Sequence, residues 1–132
     1  MDNSKIIEEF RKNHGKVGGM FEGMNILLVT AIGAKSGKEI TFPVAYTIDD
    51  GQYIIVASKG GAPENPSWYY NLTSHPQVVV ELGDEKFNAV AKETINEERE
   101  RLFDLHAKVY PTFYEYKAKT SRVIPVFLLK RA

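Results

Sequence analysis

There is no cysteine anywhere in the chain. That excludes thiolate metal sites, iron–sulfur ligation, a cysteine nucleophile and a disulfide scaffold, and it agrees with a cytoplasmic setting. An excess of charge of either sign is missing too. Seventeen Lys and Arg are matched by 17 Asp and Glu, so the formal net charge is zero. A dedicated nucleic-acid binder usually carries a strongly positive domain, so nucleic acid is not expected as a partner. Long hydrophobic runs are absent. The longest, Ile26 to Ile32, is interrupted by Thr30 and falls far short of the roughly 20 residues a membrane helix needs. The opening MDNSKIIEEFRKNHGK is charged and lacks the apolar centre of a signal peptide. Histidines are few. His14, His75 and His106 fall on three separate segments, with no paired spacing, and read as surface residues. No metal site is expected, and no H-E-x-x-H, G-x-S-x-G or Walker motif is present, which disfavours zinc or triad hydrolysis.

What is there suits one soluble domain. The 132 residues are 43% apolar and 26% charged, a globular balance. Ser4 to His14 has Ile6, Ile7 and Phe10 at helical spacing, ended by Gly15, Gly18 and Gly19. Residues 1–24 thus form an N-terminal helix and glycine-rich connector, and 25–132 a single domain. Within the connector, Val17 to Met24 sets Met20, Phe21 and Met24 among glycines. It reads either as a segment packing on the domain or as an exposed peripheral membrane contact.

Six strands are expected: Asn25–Ile32, Ile40–Asp49, Tyr53–Ser58, Val78–Leu82, Lys86–Glu93 and Val123–Leu129. Pro43 cannot donate to a ladder, so it marks an edge or a bulge. Asp50-Gly51 is a hairpin turn. Asn65 is expected to cap a helix with Pro66 at its first position. Thr94 and Glu97 have capping-box spacing ahead of another helix, and a short further helix follows Tyr110-Pro111. The expected fold is α+β but mainly β: a small barrel of about six mostly antiparallel strands with flanking helices.

Three segments carry chemistry. Gly33-Ala34-Lys35-Ser36-Gly37 joins two strands; it is either a plain loop or a cradle turning N–H groups, an ammonium and a hydroxyl toward an anion. Ala57 to Tyr69 (ASKGGAPENPSWY) puts a lysine and two glycines between a strand and a helix N-terminus, itself an anion site. There Trp68, with Pro43, walls one face of a flat ring, or is a core anchor. The third is aromatic: Tyr110, Phe113, Tyr114 and Tyr116 form a packed cap or a substrate wall able to donate protons.

The order G-x-K-S-G, Pro43, A-S-K-G-G-A-P-x-N-P-x-W-Y-x-N-L, x-Y-P and R-x-I-P-V, from about Asn25 to Leu129, resembles the deazaflavin-dependent nitroreductases, also described as quinone reductases using coenzyme F420. The resemblance implies a split β-barrel related to FMN-binding barrels, and hydride transfer from reduced F420 to a quinone, nitro compound or similar electron-poor acceptor. By position it implies that Lys35 and Ser36 hold the cofactor phosphate. Pro43 and Val44 line the ring, with Thr41 and Val56 in the cofactor set. Ala57, Ser58, Lys59 and Gly60 meet the ring edge and tail, and Trp68, Tyr69 and Asn71 close the groove. Ser58, Tyr110 and Tyr116 are the catalytic candidates, and Ala45, Tyr110, Phe113 and Tyr116 face the acceptor. Ala34 and Ile40 stand where the family writes arginines, so FMN is the alternative cofactor. A non-catalytic deazaflavin- or lipid-binding protein is the alternative function. Monomer and homodimer both remain open.

Overall fold

The computed structural model describes residues 3–132, except the side chain of Met20. Helix α1 (Ser4–Lys12) leads into strands β1 (Ile26–Ile32), β2 (Glu39–Ala45), β3 (Thr47–Asp49) and β4 (Gln52–Val56). Helix α2 (Ser67–Ser74), strands β5 (Gln77–Leu82) and β6 (Glu85–Glu93), helices α3 (Asn96–Val109) and α4 (Thr112–Lys119), and strand β7 (Val126–Arg131) complete the order.

The seven strands form one sheet, β2-β1-β5-β6-β7-β4-β3. Every pairing is antiparallel. The two outermost strands, β2 and β3, are neighbours in the chain, with only Tyr46 between them. A sheet whose edges are joined by one residue has to curl round on itself, and the result is a split barrel.

Burial on both faces explains the apolar run of β1. Ile26 and Leu28 join Ala45, Ile54 and Val56 in a core shared with Phe10 of α1 and with α3 and α4. Leu27, Val29 and Ala31 join Phe42, Ile55 and Phe127 in a second core that takes Leu72 of α2. A strand covered on both sides reads as continuous hydrophobicity, not alternation.

Several expectations need correction. The expected barrel of about six mostly antiparallel strands is present with seven, because the expected strand Ile40–Asp49 is two strands broken at Tyr46. The last strand starts at Val126, not Val123. Asn65 does not cap α2: Pro66 occupies that position, and the Asn65 side chain accepts from Arg122 instead. Thr94 caps nothing. It is buried and donates its hydroxyl to the Val126 carbonyl at 2.8 Å, and α3 begins only at Asn96. His106 is not on the surface but completely buried, whereas His14 and His75 are exposed. Of the two readings for the connector, the packing one is what Val17, Phe21 and Met24 show, half-buried against the first core; the side chain of Met20 lies outside the described residues.

Candidate active site

The split begins at the Tyr46 corner. From there β2 runs back to Glu39 with β1 as its sole strand partner, which suits Pro43. On the other side β3 pairs with β4 only as far as Ile54. The end of β4 and the following Ala57 and Ser58 thus have no strand on that flank. Two unpaired edges diverge from one corner and leave a wedge-shaped seam between them.

The corner is pinned by α3 and the residue after it. The Tyr110 hydroxyl donates to the Tyr46 carbonyl and accepts from the Asn25 N–H, each at 3.0 Å. His106 Nδ1 lies 2.8 Å from Thr47 Oγ1, and its ring packs edge-on against Phe113 at 4.5 Å. Burial pushes the imidazole down to about 4, so it is neutral at physiological pH. Its Nε2 has no hydrogen-bond partner among the described residues.

Each arm of the wedge ends in a loop held from inside. On the β2 side, buried Asn71 accepts the Ala34 N–H at 2.8 Å. Gly33 lets the Ser36 side chain pack close: a Cβ there would stand 2.5 Å from Ser36 Oγ, so the serine would have to rotate. On the β4 side, Lys59, Gly60 and Gly61 all take positive φ, at 47°, 64° and 85°. A Cβ on Gly61 would meet the Tyr116 carbonyl at 2.8 Å, so this turn sits directly on α4. The Arg122 guanidinium spans the whole turn, donating to Ala57 O, Ser58 O, Ala62 O and Asn65 Oδ1 at 2.7–3.3 Å.

Between the two loops lies a cleft of about 610 Å³. Lys35 and Ser36 line one side, Lys59 and Asn65 the other, and Ser67 and Asn71 of α2 the back. The Lys35 and Lys59 ammoniums, the second also 2.9 Å from the exposed Glu64 carboxylate, join a hydroxyl and the positive end of a helix there, which suits an anion. Ile40 and Tyr70, 43% and 49% exposed, supply apolar surface beside the charges. A flat molecule with an anionic arm fits this donor set.

The structure gathers some expected residues and separates others. Lys35, Ser36, Lys59 and Asn71 share the cleft. Pro43 and Val44 belong to one edge of the seam, Ala57 and Ser58 to the other. Thr41 lies on the same edge, its hydroxyl paired with that of Thr30 at 2.8 Å. Trp68 and Tyr69 do not line the cleft. Trp68 stacks on Phe42 (5.1 Å, 9°) as a core anchor. Tyr69 packs edge-on against Phe127 at 5.8 Å, and burial raises its pKa. Neighbouring Tyr70 takes the cleft position. Ala45, Val56, Tyr110 and Phe113 are buried in the core, and Tyr116 is half-buried beside them. The Tyr110 hydroxyl has both its donor and an acceptor side engaged inside the protein. Arg122 and Tyr70 were missed. Arg122 stands in the R-x-I-P-V motif, but nothing local shows that its partners lie about 60 residues earlier.

The fold is thus a curled antiparallel split barrel whose seam opens onto a cationic cleft able to take an anion. The family model for F420H(2)-dependent quinone reductase matches residues 4–131. The F420H(2)-dependent quinone reductase Rv1261c of Mycobacterium tuberculosis is 35% identical over 126 residues, covering 92% of this chain and 85% of that protein. A solved F420-H2 dependent reductase (FDR-A) is 44% identical, covers 80% of this chain and 93% of its own, and superposes with a TM-score of 0.73. A second solved structure, described as a domain-swapped dimer, is 36% identical over 97% of this chain and 96% of its own, with a TM-score of 0.76. The chain belongs to the F420H(2)-dependent quinone reductase family. It is accordingly an oxidoreductase, and its cofactor is coenzyme F420.

Proposed function

We propose that the seam between β2 and β4 holds the deazaflavin ring, that the Lys35–Lys59 cleft holds its anionic arm, and that a quinone or nitro compound is reduced at the Ser58–Tyr116 side. The observation that carries this is the convergence of Lys35, Ser36, Lys59 and the α2 N-terminus at the open end of the seam.

When bound, reduced F420 supplies a hydride. The chain's own contribution is placement. Lys35 and Lys59 neutralise the arm, and Ser36 gives it a hydroxyl donor. Pro43 and Val44 against Ala57 and Ser58 restrict the ring to one plane and keep water from its faces. Ser58, buried just past the end of β4, and Tyr116, on α4 beneath the Lys59–Gly61 turn, offer hydroxyls to an acceptor oxygen that gains charge. Tyr110 has no direct part; it fixes the corner.

Fluorescence titration with F420, beside FMN and NADPH, tests the reading, followed by turnover with menadione and a nitroimidazole. F420 is expected to bind and its reduced form to be consumed with menadione. Protein that purifies yellow with FMN, or that leaves F420 free, overturns it.

A homodimer is the assembly proposed; the domain-swapped neighbour supports it. Helix α1, tethered through a glycine-rich connector, is the element able to exchange. No described helix is long and apolar enough to cross a membrane. A cytoplasmic location is proposed, and the packing of Val17, Phe21 and Met24 on the core favours the connector over a membrane contact.

A further inference from the structure

We infer that Asn65 is an additional anion-binding residue of the cleft, and that Arg122 makes it one by fixing which end of its amide faces the ligand. The inference rests on the cleft being the place of the cofactor's anionic arm.

Asn65 lines the cleft beside Lys59 and Ser67. Its carboxamide has an accepting oxygen and a donating NH2 at opposite ends, and an unconstrained asparagine presents either. Arg122 removes that freedom. A guanidinium has only donors, so only Oδ1 can face it. Arg122 Nη1 donates to Asn65 Oδ1 at 2.7 Å, the shortest of its contacts together with that to Ser58 O. The Nδ2 end is left with two N–H groups and no partner in the protein among the described residues. A side chain neutral in total thereby presents the cleft with donors only.

The same guanidinium holds the turn that carries Lys59. Its bonds to Ala57 O, Ser58 O and Ala62 O bracket the three left-handed residues. Within the turn only Gly61 N–H to Ser58 O (2.9 Å) and Ala62 N–H to Lys59 O (3.1 Å) close it by itself. Arg122 is thus a positioning residue for two cleft donors, Asn65 by orientation and Lys59 by backbone.

Asn65→Asp separates this role from a structural one. A carboxylate keeps the bond to Arg122 and strengthens it, so the fold is retained. It also replaces two donors with an acceptor oxygen carrying negative charge. F420 affinity is therefore expected to fall at least tenfold. The affinity for the deazaflavin riboside that lacks the phosphate arm should stay within twofold, and the melting temperature should hold or rise. Arg122→Lys, which lacks the planar fork, should fall between wild type and N65D in F420 affinity. Should N65D melt well below wild type, Asn65→Ala takes its place, with F420 affinity down severalfold and the armless riboside unaffected. Full F420 affinity in N65D or N65A overturns the inference. Wild-type protein that binds F420 no better than the armless riboside instead overturns the placement of the arm in this cleft.

Discussion

Lys59 is a residue asked to do two opposed things. Its ammonium serves the cleft, yet its φ of 47° belongs to the left-handed region that side chains resist. Strain kept at a ligand site marks function more often than stability. Lys59→Gly and Lys59→Ala both remove the ammonium, and each is expected to weaken F420 binding by about 1–3 kcal/mol, read by fluorescence titration. They separate in stability: glycine relieves the backbone and should melt higher than alanine by about 1 kcal/mol equivalent. The ion pair to Glu64 is exposed and does not enter this comparison. Tyr110→Phe is expected to cost about 1–2 kcal/mol in urea unfolding, because two bonds at the corner are lost. At saturating F420 and quinone, turnover per folded molecule should stay near wild type, with any change falling on F420 affinity through the corner that the hydroxyl holds; a large fall in kcat would restore its hydroxyl to the chemistry. At this scale the sequence showed residue types well and partners badly. Lys35, Ser36 and Lys59 stand out as polar groups set among glycines, and the structure brings them to one cleft. Of the two readings for Trp68 the structure has the core anchor, and Tyr70, with no assigned duty, lines the cleft, because helix phase decides which aromatic enters the core.

The loops and strands repeat the pattern. Asp50-Gly51 is readable because both residues need positive φ, 51° and 76°, and that dipeptide supplies it. The corner at Tyr46 is not readable: Ile40 to Asp49 has strand-forming residues throughout and no glycine to announce a bend. Thr94 misleads for a different reason. Its spacing to Glu97 suits a cap, but the β6–β7 ladder offers its hydroxyl a buried carbonyl first. Between elements, Asn71 ties α2 to the β1–β2 loop. Asn71→Ala should cost about 1 kcal/mol of stability, since water reaches the exposed Ala34 N–H and softens the loss. F420 affinity should fall by more than stability does, because the loop bearing Lys35 is freed. Thermal melts and titrations on the same preparation check this, and equal affinity would make Asn71 a packing residue only.

For the whole molecule, buried His106 sets the acid limit. Its pKa is about 4 in the folded protein against an ordinary 6.5, so between those values the unfolded chain binds the extra proton. Stability is full above about pH 6.5 and declines as pH falls toward 4, by on the order of 3 kcal/mol in all. Glu81, lowered by its bond to Arg11, and Asp49, lowered by Arg101, add losses only within and below the carboxylate range. Urea midpoints from pH 7 to 4.5 should slope for wild type and lie flatter for His106→Asn. Parallel slopes would move the acid sensitivity elsewhere. Fold class was legible from the alternation of hairpin-joined apolar runs, but His106 was not. Nothing near a lone histidine in a charged helix tells how closely α3 presses on the barrel.

The two edges that flank the seam meet at one peptide unit, and that makes them a pair of tongs. From Ala45 to Ile40 the jaw is about 17 Å long, so each degree of rotation at Tyr46 moves the tip by about 0.3 Å. The angle between the two edges is set where they meet, so the hydroxyl of Tyr110 and the imidazole of His106, by holding that corner, act on the proposed seam without lining its cleft.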